Sequence, residues 1–113
     1  MIAKKVIDYL LTALSELGTY VGMEAPSALS NYVLIDQTGS SRRNHIVTTT
    51  IAIQSYGSSL YDAMLLNEAV KSAMEGFEEL ADITRVELET DYSFTNTATK
   101  QYRWQAVYSI THY

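Results

Sequence analysis

Three carboxylates alternate along one stretch of the chain, at Glu87, Glu89 and Asp91. Acidic oxygens are the ligands that Ca²⁺ prefers, so this row is the first candidate for a metal site. The alternating pattern predicts a strand, on which the three side chains would share one face at spacings of about 6.8 Å. One cation with ligands at about 2.3 to 2.6 Å cannot bridge that spacing. We therefore predict a solvated face, with Lys100 or Arg103 as partners across a hairpin, and no metal.

Other residue types that carry chemistry are sparse. His45 and His112 show neither the spacing of a nucleophile, base and acid nor that of a histidine metal pair, and we interpret them as partly exposed strand-end residues. The sequence has no cysteine, which excludes disulfides, thiolate catalysis and zinc-thiolate sites. Phosphate-binding glycine motifs are missing too. We predict no catalytic residue and no cofactor.

One basic doublet, Arg42 and Arg43, follows Gly39 in a polar connection predicted to span Gly39 to Asn44. Two interpretations stay open for it. It is an ordinary hairpin tip, or it contacts an acidic partner or passing nucleic acid, because loops presented by a rigid sheet often carry function.

Nine tyrosines favour a protein that assembles, since tyrosine is enriched at protein interfaces.

Length and charge limit the possible functions further. A chain of 113 residues has room for one domain, which we place at 1–113. The net charge of −5 disfavours general binding to nucleic acid phosphates. No apolar run reaches the roughly 18 residues of a membrane span, and the N-terminus is a poor signal peptide. We expect a soluble protein made in the cytosol.

The periodicity of apolar residues predicts an α-β-β-α-β-β order. Period-two alternation from Ile46 changes at Gly57 into a helical period, with Ser59 as N-cap and Asp62 supporting the helix end. The predicted helices are Ala3 to Leu17, capped by Gly18, and Ser59 to about Glu79. The predicted strands are Tyr32 to Thr38, Ile46 to Tyr56, Val86 to Phe94 and Gln101 to His112, the last two joined by the loop Thr95 to Lys100. A short extended piece at Tyr20 to Met23 is the only order expected between Gly18 and Asn31.

Two hairpins and two helices predict an α+β domain, with a mostly antiparallel four-stranded sheet and both helices packed on one face. The opposite face of the sheet stays open. It is expected to carry Thr48, Thr50, Gln54, Glu87, Glu89, Arg103 and Gln105, a polar surface suited to solvent or to a partner.

Several segments together resemble the tail terminator proteins of long-tailed bacteriophages, which complete the tail and join it to the head. They are the run from Asn31 to Gly39, the strand end from Ile51 to Tyr56, the helix start Ser59, Tyr61, Asp62 and Ala63, and the final strand from Tyr102 to Ile110. The resemblance covers nearly the whole chain in length and element order, except for Gly18 to Ser30. It rests on strands and turns, not on a catalytic signature.

The resemblance implies a structural virion protein at the head-tail interface, assembled in the bacterial cytoplasm. Such a protein caps the tail tube as a ring, commonly a hexamer, and its partners are other copies of itself, the major tail tube protein and the head-completion or connector protein. DNA would pass without specific binding, since a ring of six such chains would carry six times −5, or −30, formal charges. The candidate assembly-contact residues are Gly39, Arg42, Arg43, Glu87, Glu89 and Arg103.

Two other functions are compatible with the same elements. A dimeric ligand-binding or enzymatic domain would place a pocket between helices and sheet, lined by Tyr102, Trp104 and Tyr108. Such aromatics are more often core residues, because burying one contributes about 2 kcal/mol or more. Double-stranded RNA binding is disfavoured by the acidic isoelectric point, near 4.8.

Overall fold

The computed structural model of the chain describes residues 2–15, 19–26, 31–80, 83–93, 95 and 102–113. Two α-helices and five strands account for most of them. The helices are α1 (Ile2–Ala13) and α2 (Leu60–Met74), and a short 3-10 turn (Phe77–Glu79) follows α2. The strands are β1 (Tyr20–Gly22), β2 (Tyr32–Arg43), β3 (Ile46–Gly57), β4 (Ile83–Ser93) and β5 (Tyr102–His112).

The strands form one mixed sheet in the order β1-β2-β3-β5-β4. The prediction of a four-stranded, mostly antiparallel sheet was therefore wrong by one strand, and the element order is α-β-β-β-α-β-β. The additional strand is β1, whose Val21 pairs in parallel with Val33 of β2. Three residues are too few to display an alternating pattern, so the segment predicted only as a short extended piece gave no strand signal.

Both helices cover the same face of the sheet. Val6 and Leu10 of α1 join Val70 and Met74 of α2 in one core cluster with inward-facing residues of all five strands. Phe77, in the 3-10 turn, is fully buried there and packs edge-on against Tyr9 at 5.1 Å between ring centroids. The helix ends differ from prediction: α1 ends at Ala13 and α2 at Met74. Leu17 and its proposed cap Gly18 lie outside the described residues.

The change of period at Gly57 marks the end of β3, as predicted. The Ser59 hydroxyl accepts a hydrogen bond from the Asp62 backbone N–H at 3.1 Å, which confirms the predicted N-cap. Gly57 has a steric reason to be glycine, because a Cβ there would lie 2.5 Å from the backbone nitrogen of Ala63. The turn is thus explained by close packing of the helix start on the strand end.

The connection between β2 and β3 is much shorter than predicted. We expected β2 to end at Thr38 and a loop to run from Gly39 to Asn44, but pairing continues to Arg43 opposite Ile46. Only Asn44 and His45 form the turn, with φ angles of 51° and 69°. Positive φ at both central residues is the geometry that matches strand twist in a two-residue hairpin, so the polar sequence continues as strand.

A β-bulge between Leu88 and Thr90 shifts the register of β4 against β5. Before the bulge, Glu87 lies opposite Ser109 on the open face; after it, Asp91 lies opposite Ala106 on the helix-covered face. The prediction that Glu87, Glu89 and Asp91 share one face was therefore wrong for Asp91. One inserted residue reverses the facing of all that follow it.

Candidate assembly surfaces

The far half of the β2–β3 hairpin forms an arm, defined here as residues 36–46. Its β2 residues from Asp36 to Arg43 are all exposed. On the outer side of β2, β1 covers only Tyr32–Leu34, and β3 pairs with β5 no further out than Val47. Within the described residues, the arm is therefore an uncovered edge of the sheet along β2, and only Arg43, Ile46 and the turn between them extend beyond β5.

The arginine doublet lies near the tip of the arm, with one side chain on each face of the hairpin. Arg42 lines a cavity of about 600 Å³ on the helix side together with Lys5, His45 and His112. Arg43 lines a shallow site on the open side with Ile46 and Thr48. In the described part of the chain, neither guanidinium forms an ion pair. Both are therefore available to an external acidic group.

The two histidines, which are distant in sequence, line the same cavity on the helix side of the arm. The His112 Nε2 atom lies 3.0 Å from the Thr49 hydroxyl, and its Nδ1 atom lies 3.2 Å from the Tyr113 carbonyl oxygen. His45 lies in the turn and not at a strand start. Among the residues described, no group of three or more His, Asp or Glu side chains is arranged to hold a metal ion.

Gly39 lies in β2 just after a bulge between Gln37 and Gly39, with Thr50 opposite it. A Cβ added at this glycine would meet no atom within 4 Å. The residue thus faces open space on the arm. Nothing in its surroundings requires glycine.

Glu87 and Glu89 lie exposed on β4, the outer strand at the opposite edge of the sheet from the arm. Glu87 has a weak contact with Arg85 at 3.4 Å, and both side chains are more than half exposed. An exposed pair of this kind contributes at most about 1 kcal/mol. The two glutamates therefore remain largely available for other contacts.

Arg103 lies opposite Tyr56 on the open face, next to a stacked pair formed by Tyr32 and Tyr56 with ring centroids 4.6 Å apart. Burial raises the pKa of Tyr32, the Tyr56 hydroxyl raises it further, and the Arg103 guanidinium opposes both effects. Arg103 therefore lies beside the two tyrosines and not beside Glu87 and Glu89, with which it was predicted to pair. Lys100, the other predicted partner, lies outside the described residues.

A line of hydrogen bonds crosses the open face from β3 to β4. Tyr56 donates to Gln54 at 3.1 Å, Gln54 donates to Gln105 at 3.1 Å, and Gln105 donates to the Tyr92 hydroxyl. These bonds fix side chains that the sequence pattern placed on this face only as generally polar. The middle of the open face is therefore an ordered polar surface, held rigidly between the two sheet edges.

Asp91 lies on the other face, where it accepts three hydrogen bonds that bind α2 to the β4–β5 hairpin. The donors are the Trp104 indole at 2.6 Å, the Asn67 amide at 3.0 Å and the Lys71 ammonium at 3.1 Å. Partial burial alone would raise the pKa of Asp91, but the Trp104 and Lys71 hydrogen bonds, the Lys71 charge and the Asn67 amide together lower it below its ordinary 3.8. Sequence reasoning missed this network because it placed Asp91 on the wrong face.

Between α2 and β4 lies a groove of about 470 Å³, which could not be predicted from the sequence. Its floor and wall are apolar, formed by Val86, Leu88, Met74 and Tyr108, and Leu88 is 43% exposed. Its rim carries Glu68, Glu75 and Glu78 together with Lys71, which pairs with Glu68 at 2.9 Å. Burial raises the pKa of Tyr108 to about 12, so its hydroxyl stays neutral at physiological pH. The groove continues the β4 edge as an apolar strip bordered by negative charge.

No family model and no curated protein matches this sequence. Within the described residues, no helix has both the length and the apolar character required to cross a membrane. The contacts of the arm, the β4 edge and the open face are therefore the basis for a functional proposal.

Proposed function

We propose that this chain is a structural virion protein of a long-tailed bacteriophage, which caps the tail tube and joins tail to head as an oligomeric ring, a hexamer in the family it resembles. Its partners are further copies of itself, the major tail tube protein and the head-completion or connector protein. It would work at the head-tail interface of the virion, after assembly in the bacterial cytoplasm.

The observation that carries this proposal is the arm, the exposed and uncovered part of the β2 edge. In β2, the residues from Asp36 to Arg43 run past β1 as an exposed edge of the sheet, and only Arg43, Ile46 and the turn between them extend beyond β5. This edge presents an arginine doublet with no ion pair among the described residues, on a protein of net charge −5. An exposed edge strand with polar side chains contributes nothing to the core, whereas it suits contact with a neighbouring subunit. The exposed β4 edge and the ordered open face add two more surfaces of the kind that a ring subunit needs.

The negative net charge of the chain agrees with a ring through which DNA passes. The formal net charge is −5, and the described acidic side chains include exposed residues on α2 and β4. A negatively charged ring repels phosphates, so DNA would slide through without adhering.

The alternative, a dimeric ligand-binding or enzymatic domain, has less support from the aromatic residues on which it depended. The Trp104 indole N–H already donates a hydrogen bond to Asp91. Tyr108 is only 4% exposed and lies in the core cluster. These positions give both aromatics a structural role.

Removal of the protein from an infecting phage tests the proposal. We expect electron micrographs of the lysate to show filled heads without tails and free tails of uncontrolled length, since nothing would stop tube growth or provide the joint. Supplying the intact chain from a plasmid should restore joined particles. Normal virions in its absence would contradict the proposal.

A further inference from the structure

Two edges of the sheet lack a neighbouring strand in the described part of the chain. One is β2 from Ile35 to Arg43, which β1 leaves uncovered, and the other is β4 from Ile83 to Ser93. Edge strands present unpaired backbone N–H and C=O groups that can pair with another chain. On β4, the Val86 N–H already donates to the Glu78 carboxylate at 3.4 Å, so the edge open to another strand runs from Glu87 to Ser93. Each copy therefore carries two complementary hydrogen-bonding edges on opposite sides.

Strand direction allows these edges to pair with each other. β2 is antiparallel to β3, β3 to β5, and β5 to β4, so β2 runs antiparallel to β4. When a second copy is placed beside the first in the same orientation, its β2 runs antiparallel to the β4 of the first. The helix-covered faces of the two sheets then lie on the same side.

Charges match on both faces of such a junction. On the helix side, Arg42 would face the rim of the α2–β4 groove, where Glu75 and Glu78 have no ion pair among the described residues and Glu68 is paired with Lys71. On the open side, Arg43 would face Glu87 and Glu89.

Two further features agree with this arrangement. Arg85 is the one cation among the described residues of β4, and it already contacts Glu87 at 3.4 Å. Leu88 and Val86, exposed or half-buried in the groove, would gain cover from the incoming strand.

We propose that the occupant of the β4 edge and its groove is the arm of a second copy of this chain. The junction joins two different surfaces, so repetition of the contact closes a ring if the rotation permits and extends into a filament if it does not. The inference rests on the proposed function in that it identifies the surfaces by which the ring subunits meet.

Cross-linking tests this placement, since the native chain has no cysteine. One purified variant carries Ser41→Cys on the open face of the arm, and a second carries Thr90→Cys on the open face of β4. Mixed at high concentration with a short bismaleimide, they should yield a heterodimer between the two variants. Thr12→Cys, exposed on α1, replaces Ser41→Cys in the matched control and should yield little.

A mixture that yields no more product than the control, at a concentration where light scattering detects oligomers, would overturn the inference. Predominant linkage of Ser41→Cys chains to one another would overturn it too, because that indicates a twofold arm-to-arm contact. The inference would also be overturned if the chain stayed monomeric and formed no cross-link at the highest concentration reached.

Charge reversal provides a second readout by analytical ultracentrifugation. The R42E/R43E and E87K/E89K variants should each associate about tenfold more weakly than the native chain or worse, because like charges would meet across the junction. An equimolar mixture should regain association, since each variant keeps the surface that the other has lost. The alternative is that the charges serve to keep the edge strands from associating, as charged residues on edges often do. In that case, reversing the charges would leave association unchanged or strengthen it, and this result would overturn the inference.

The cross-linking and charge-reversal results can be distinguished from the test of the proposed function. A ring built through other surfaces would fail the cross-linking test while phage lacking the protein still accumulated unjoined heads. Edge pairing in a protein with no role in tails would give the opposite combination.

Discussion

Replacing Asp91 with alanine should destabilise the fold by about 2 to 4 kcal/mol, because it removes the acceptor of three hydrogen bonds and leaves a partly buried lysine with one exposed partner. The Asp91 and Lys71 side chains are 24% and 23% exposed, which limits screening by water. The remaining partner of Lys71 is Glu68, which is 60% exposed. Urea unfolding followed by circular dichroism measures the change in the free energy of unfolding.

A matched control is Asp8→Ala, which removes an exposed carboxylate paired with Lys4 on the surface of α1. We expect a change below about 0.5 kcal/mol there, as for exposed helix pairs in general. If Asp91→Ala costs no more than Asp8→Ala, the Asp91 network does not hold α2 to the hairpin.

The effect of Asp91 should depend on pH in a defined direction. Its folded-state pKa is lower than its ordinary value of 3.8, so its charge stabilises the fold at pH values above that ordinary pKa. The contribution is lost as pH falls through the lowered, folded-state pKa. The difference in stability between the native chain and Asp91→Ala should therefore be constant near neutrality and shrink in acid below about pH 4. A difference that grows in acid would contradict the direction of the shift.

Replacing Arg42 and Arg43 together with alanine should leave the monomer folded and reduce head-to-tail joining by about tenfold or more, since desolvated charge contacts at an interface are costly to lose. The folding expectation follows from the arm, where both side chains are exposed and unpaired among the described residues. Joined particles are counted in electron micrographs of a lysate in which the variant replaces the native chain.

The matched control for the doublet is Lys4→Ala, which removes an exposed cation from α1, away from the arm. It should leave joining unchanged, which separates an effect of position from an effect of net charge. Normal joining by the double variant would return the arm to the status of an ordinary hairpin. If the double variant showed reduced joining together with a lower unfolding midpoint, the defect would be one of folding and not of the interface.

Much of the fold could be predicted from local patterns. The helix face of α1, the period change at Gly57 and the Ser59 cap depend on contacts within a few residues, and their residue types report those contacts directly. The antiparallel hairpins follow from short connections between alternating runs.

The features that could not be predicted depend on pairing partners distant in sequence. β1 exists because Val21 meets Val33, and three residues carry no periodicity that could indicate it. The bulge after Leu88 depends on register against β5, and the polar sequence from Gly39 to Arg43 resembles a loop until its pairing with β3 is known. For the same reasons, the sequence placed Arg42 and Arg43 correctly as exposed cations but missed the arm, the groove and the inward position of Asp91.

The central claim is that this chain forms a ring at the head-proximal end of the tail. The most direct measurement is cryo-electron microscopy of tails purified from a host producing the native chain, with an affinity-labelled copy of the protein to mark its position. We expect a single ring of labelled subunits at one end of each tail, the end that meets the head. Label distributed along the tube, or confined to the head, or absent from tails of normal length would contradict it.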